Sequence, residues 1–214
     1  MPGGDEIRDV QRATWAGLSA GWEKWDSVIM DQLGPVGTAM IERLGIADDQ
    51  QHLDIAAGTG EPGLTVARLA PRGHVVLTDL AAEMLDIATR RANAQGITNF
   101  ETRVCSAGDL PFGDAAFDSI SVRFGYMFFP DVAKATAEFA RVLKPGGRLL
   151  VTTLAKHAHR TAVAPFDHRN LGFKDSELRE FARKAGLKVL SCTRLTRERR
   201  PPHFEVLSLL AQKI

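Results

Sequence analysis

The chain has 214 residues, the length of one ordinary domain able to bury a sizeable core without disulfide or metal staples. Its 27 Lys and Arg against 26 Asp and Glu leave a net charge of +1, which argues against a nucleic-acid surface or an acidic partner as its main business. No apolar run approaches the ~20 residues that span a bilayer. The opening Met-Pro-Gly-Gly-Asp-Glu has no basic stretch before an apolar one, so no membrane segment and no signal peptide are expected.

Residues 5–45 read as helical and carry Trp15, Trp22 and Trp25; Gly34-Pro35 is expected to break the region, with a second helix over 36–44. The apolar run at 52–57 reads as a strand that ends in Gly-Thr-Gly, followed by a helix over 64–69. A strand over 74–79, a helix over 81–95 closed by Gly96, and strands over 100–105 and 117–122 come next. A helix over 132–143 ends at Lys144-Pro-Gly-Gly147, before a strand over 148–153. This alternation predicts an α/β sandwich around a mostly parallel, seven-stranded sheet. The tail differs: a helix over 175–185, then strand-like runs at 187–195 and 204–211, joined by an arginine-rich linker too short for a crossover. Those two runs must pair antiparallel. Cys105 and Cys192 lie far apart, match no metal spacing, and read as small buried hydrophobes; a reducing, cytoplasmic setting fits them.

Gly58-Thr-Gly60-Glu-Pro-Gly63 matches G-x-G-x-x-G between a strand and a helix, where glycines admit a ligand that any Cβ would block. Asp79 ends the next strand about twenty residues on, the usual place for a carboxylate that takes both hydroxyls of a ribose. Asp54, shortly before the turn, would repel a pyrophosphate and attract a cation. An adenosine bearing a positive charge therefore fits better than a dinucleotide.

Together these stretches resemble the signature motifs of class I S-adenosylmethionine-dependent methyltransferases. Leu53-Asp-Ile-Ala-Ala-Gly-Thr-Gly60 is similar to the first motif and Leu77-Thr-Asp79-Leu-Ala-Ala-Glu-Met84-Leu to the second. Asp109-Leu-Pro-Phe-Gly-Asp-Ala-Ala-Phe117-Asp resembles the loop beneath the adenine. Arg141-Val-Leu-Lys-Pro-Gly-Gly-Arg148-Leu-Leu resembles the helix–turn–strand hallmark of the small-molecule branch, which includes the ubiquinone and menaquinone biosynthesis methyltransferases. The resemblance spans roughly residues 50–155 and implies S-adenosyl-L-methionine as cofactor. It implies contacts from Asp54, Ala56, Gly58, Thr59, Gly60, Asp79 and Leu80. Met84 would pack on the adenine or simply fill the core. Where such enzymes hold the adenine amino group with Asp or Asn, this chain has Ser106; Ala107 offers its N–H, and Asp109 is the alternative. Arg123 would turn its backbone to the methionine part, or be a surface cation.

Trp22 and Trp25 are the candidates to cap the cofactor, ahead of Trp15. His168 and Tyr126 are the candidate catalytic groups facing the acceptor, whereas His157 and His159 read as exposed loop residues. No metal site is expected, because these histidines lack a further ligand of suitable spacing. The arginines of the 196–203 linker read as a solvated loop. The expected organisation is one domain over 1–214: a helical lid at 1–45, a cofactor core at 50–155, and an acceptor-side segment with the hairpin at 156–214. The implied chemistry is direct SN2 methyl transfer to carbon or oxygen of a small organic acceptor, a quinone precursor or phenolic metabolite, in a monomer or homodimer. Two rival readings stay open: a nicotinamide oxidoreductase built on the same glycine turn, and a non-catalytic adenosine-binding protein.

Overall fold

The computed structural model describes residues 4–214, so the first three residues of the expected lid and of the N-terminal reading lie outside the described residues. Two helices, α1 (Gly4–Lys24) and α2 (Asp26–Leu44), precede β1 (Gln51–Ile55), α3 (Gly63–Leu69), β2 (His74–Asp79), α4 (Ala82–Ala94) and β3 (Phe100–Val104). Then follow β4 (Phe117–Arg123), α5 (Val132–Val142), β5 (Leu143–Leu154), the single turn α6 (Arg160–Val163), α7 (Asp175–Lys184), β6 (Leu187–Arg197) and β7 (Glu205–Lys213).

The strands form one seven-stranded sheet in the order β3-β2-β1-β4-β5-β7-β6. β1 to β5 pair parallel, and β7 pairs antiparallel with both β5 and β6. The expected terminal hairpin is therefore present, with the last strand inserted between β5 and β6. Leu53, Leu77, Ile120 and Leu149 are fully buried in the central strands, as expected where helices cover both faces of a sheet. Phe139 and Tyr126 fill one face, and Leu64 and Leu85 the other.

Three expectations are corrected. The helical break falls at Trp25, and α2 runs through Gly34-Pro35. Gly34 has no Cβ to collide with the proline ring, which removes part of the penalty on a helical residue before proline. Second, β5 begins at Leu143: Phe117 pairs with Leu143 and Ser119 with Arg148, so Lys144-Pro-Gly-Gly147 bulges out of a strand that continues through it. Third, the segment after β5 contains α6 and a 3-10 turn over Ala164–Phe166, which its sequence did not announce.

Candidate functional site

Between β1 and β4 the sheet order reverses, and at the carboxyl ends of such strands an open α/β sheet leaves a crevice. A cavity of about 1550 Å³ opens there. Its floor is made by the strand ends Ile55, Asp79, Arg123 and Leu154, and its roof by α1, α2 and the β6–β7 linker. Single-ligand pockets run to roughly 1,000 Å³, so this volume suits two molecules side by side.

The glycine turn divides its labour. Gly58 faces the cavity with φ +54°, and a Cβ added there would meet nothing within 4 Å. Gly60 and Gly63 do not line the cavity. At Gly60 (φ +104°) a Cβ would lie 2.7 Å from Leu64 Cδ1; at Gly63 it would lie 2.3 Å from Leu77 Cδ2. Those two glycines serve the packing of α3 on the sheet, and only Gly58 serves ligand approach.

The two acids also differ. Asp79 lines the cavity; its Oδ2 accepts the Gly58 N–H at 2.9 Å and its Oδ1 the Ala81 N–H at 3.0 Å. Each oxygen keeps a lone pair for a further donor, as a ribose diol would supply. Burial raises its pKa, against the pull of those N–H groups. Asp54 is turned away from the cavity. Its Oδ2 accepts the Gly63 N–H at 3.0 Å and its Oδ1 the Ser121 hydroxyl at 2.5 Å. Burial pushes its pKa up to about 7, although Ser121, Arg123 and Gly63 all favour the charged form. The expected direct attraction of a ligand cation is replaced by a structural bond beneath the turn, because a carboxylate at this depth needs the donors that α3 and β4 offer.

Ala56 (φ +54°), Thr59, Leu80, Met84, Ser106 and Ala107 line the cavity as expected. Asp109 is exposed and does not line it, so Ser106 is the residue of that pair at the cavity. Arg123 is no surface cation: it lines the cavity, and its guanidinium donates to the Leu33 carbonyl at 3.3 Å. Burial lowers its pKa, and Asp54 and Glu61 oppose that shift.

On the acceptor side Trp22 lines the cavity and Trp25 does not; Trp25 is 54% exposed, with the Lys24 ammonium 5.1 Å above its ring. Trp15 lines it instead, 5.0 Å edge-on to Phe128 and stacked at 6.2 Å on Phe166. Helical spacing from Trp22 to Trp15 was the signal that could have found it. Tyr126 is fully buried beneath the site, its hydroxyl 2.8 Å from Thr136 Oγ1, and burial drives its pKa upward. It is a core residue and no base. His168 lines the cavity edge-on to Phe128 at 4.9 Å, and burial lowers its pKa to about 4. His157 and His159 pack against Phe204 and do not line it; His159 is exposed as expected, whereas His157 is half-buried by that packing. Cys105, read as a buried hydrophobe, is half-buried at the cavity wall, whereas Cys192 is buried. Gln11 and the 196–202 linker join the lining without any motif to mark them, and Phe128 joins it as well. Among the described residues no cluster could hold a metal, and no helix is long and apolar enough to cross a membrane.

A pyrophosphate needs free N–H groups at the turn. Here the N–H of Gly58 goes to Asp79, that of Gly60 to the Ala57 carbonyl, that of Gly63 to Asp54 and that of Leu64 to the Gly60 carbonyl. Four N–H groups of the turn are thus already committed within the protein, which disfavours a pyrophosphate there.

Residues 24–173 match the ubiE/COQ5 methyltransferase family. The demethylmenaquinone methyltransferase of Thermus thermophilus is 46% identical over 101 residues, 46% of this chain and 44% of that protein. The ubiquinone/menaquinone biosynthesis C-methyltransferase UbiE of Bordetella avium is 35% identical over 166 residues, 77% of this chain and 64% of that protein. The chain spans about half the length of several curated relatives it matches. A solved geranyl diphosphate C-methyltransferase from Streptomyces coelicolor shares the fold, with a TM-score of 0.73 over 85% of this chain and 80% of that one at 20% identity.

Proposed function

The chain belongs to the ubiE/COQ5 methyltransferase family, and we propose that it moves the methyl group of S-adenosylmethionine to a carbon of a small quinone precursor. One observation carries the reading: a single cavity joins a ribose-ready wall, made by Gly58, Asp79 and Ser106, to an aromatic chamber made by Trp15, Phe128 and His168. The names of the relatives, C-methyltransferases of menaquinone and ubiquinone synthesis, support the acceptor class.

When bound, S-adenosylmethionine supplies a methyl group made electrophilic by its sulfonium. Asp79 would accept the ribose hydroxyls, Gly58 would let the backbone come close, Ser106 and Ala107 would meet the adenine edge, and Leu80 and Met84 would pack on its faces. The α1 tryptophans exclude water, and holding two reactants in register is worth up to ~7–11 kcal/mol in the best intramolecular cases. His168, neutral at pH 7 because burial holds its pKa down at about 4, would hydrogen-bond a hydroxyl of the acceptor and orient its ring rather than take its proton.

With this reading go three narrower ones: action in the cytoplasm, residues 1–45 as a lid on a single domain, and a homodimer, which sedimentation of the full chain would test. The first experiment is calorimetric titration with S-adenosylhomocysteine, with NAD injected in parallel and Asp79→Ala as control. Micromolar binding of the thioether, weakened at least tenfold in the variant and absent for NAD, is expected, followed by methyl transfer to a demethylmenaquinol. Binding of NAD without the thioether would replace the reading with the oxidoreductase.

A further inference from the structure

Two buried polar atoms in the acceptor chamber have no partner: Gln11 Oε1 and His168 Nδ1. Gln11 is 2% exposed and lines the cavity from α1. Its amide orientation is fixed. Nε2 donates to the Asp167 carbonyl at 2.7 Å and to the Asp167 carboxylate Oδ2 at 2.9 Å, and exchanging the amide atoms would press Oε1 against both oxygens. Arg169 donates to the same carboxylate at 3.0 Å, and Asp167 holds a left-handed backbone (φ +51°). One residue before His168, the lid is thus clamped to the segment after β5, with the carbonyl end of Gln11 left over.

Buried polar atoms are almost always bonded, so two in one chamber call for a ligand that bonds both. The surroundings say which kind. Trp15, Phe128 and Phe166 give aromatic walls, Asp167 and Arg169 are paired with each other, and Arg8, one turn before Gln11 on α1, also lines the cavity. Gln11 Oε1 can only accept, while a neutral imidazole Nδ1 can donate. A hydroxyl satisfies both at once, giving its proton to one and its lone pair to the other. Gln11 and Trp15 lie on α1, before the residues that match the family, 24–173.

We infer that Gln11 and His168 form a recognition site for the hydroxyl of an aromatic acceptor, seated between Trp15, Phe128 and Phe166. The inference rests on the methyl-transfer reading for its biological sense, but it is tested by binding alone. The probes are 1-naphthol and 1-methoxynaphthalene, titrated calorimetrically into the full chain saturated with S-adenosylhomocysteine. The wild type should bind the naphthol about 10–100-fold more tightly, the range for a hydrogen bond that would otherwise leave a buried partner unmet. His168→Phe keeps the ring contact with Phe128 and removes Nδ1; Gln11→Met keeps the length and removes Oε1. Each should bring the two ligands to within a few-fold while the affinity for S-adenosylhomocysteine stays unchanged. Because Gln11→Met also loses the clamp, Asp167→Asn is the control: it loosens the clamp yet should keep the preference for the naphthol. Equal affinities in the wild type, or a preference that survives in both His168→Phe and Gln11→Met, would overturn the site. Failure of the methyl-transfer reading would appear elsewhere, as absent thioether binding.

Discussion

Beneath the glycine turn runs a chain of buried polar residues. Ser119 Oγ lies 2.9 Å from Gln50 Oε1 and 2.7 Å from His52 Nδ1; His52 Nε2 lies 2.9 Å from Ser121 Oγ, which lies 2.5 Å from Asp54 Oδ1. Burial lowers the His52 pKa to about 3 and raises that of Asp54 to about 7. The two act on stability with opposite sign. The unfolded chain protonates His52 below 6.5 when the native one does not, so this contribution makes stability rise with pH between about 3 and 6.5. The native chain holds a proton on Asp54 that the unfolded one releases above 3.8, so this contribution makes stability fall between about 3.8 and 7. They offset each other across the shared window. Asp54→Asn should therefore turn a comparatively flat profile into one that climbs with pH, read by urea denaturation at pH 4.5, 5.5 and 6.5. Parallel profiles for the two proteins would refute the assignment. Ser121→Ala, which strands both neighbours at once, should cost about 1–3 kcal/mol by the same measurement.

At the scale of the element, the β1–α3 turn separates folding from binding. Gly63→Ala drives a Cβ into Leu77 and Asp54 and should destabilise by about 1–3 kcal/mol, seen as a lower Tm. Gly58→Ala meets open space and pays only for its positive φ, about 1–2 kcal/mol, yet should weaken S-adenosylhomocysteine at least tenfold in calorimetry. If Gly63→Ala were the variant that spared the fold, the division of labour would be wrong. The motif alone could not divide the three glycines, because their roles depend on which side chains pack above them. The strands, by contrast, were legible to within two residues apart from the start of β5, since apolar runs between glycine and proline breaks are local signals. Asp54 was legible as an acid beside the turn, expected to attract a ligand cation, and not as a buried bond to α3. The break at Trp25, the continuation through Pro35 and the turn α6 escaped because docking against the sheet decides them. Gln11 escaped as a site residue for the same reason, since nothing near it in sequence indicates the segment it meets; Trp15 was ranked below Trp22 and Trp25 although it lines the cavity and Trp25 does not.

For the molecule as a whole, what holds the N-terminal helices over the cavity decides how ligands enter. Ion pairs are present: Glu23 with Arg90 at 2.7 Å, and Asp26 with Arg91, which also donates to the Thr59 hydroxyl at 3.0 Å. The first pair is half exposed on both sides and contributes at most about 1 kcal/mol. Trp15 makes two ring contacts from α1 to the rest of the molecule, with Phe128 and Phe166, each worth about 0.5–1.5 kcal/mol beyond the area it buries; its contact with Trp22 lies within α1. Aromatic packing thus outweighs the exposed charge pair. Raising the salt to about 0.5 M, where the Debye length falls to a few ångströms, should leave the lid closed, while Trp15→Ala should open it. Limited proteolysis within residues 1–45 reads the difference: cleavage should be fast in the variant at any ionic strength and slow in the wild type even at high salt. Because Trp15 lies on the acceptor side and Asp79 on the ribose side, the variant should keep its affinity for S-adenosylhomocysteine and lose that for 1-naphthol. Salt-induced cleavage of the wild type would show that charges hold the lid. Loss of thioether binding in Trp15→Ala would show that the two halves of the cavity cannot be separated.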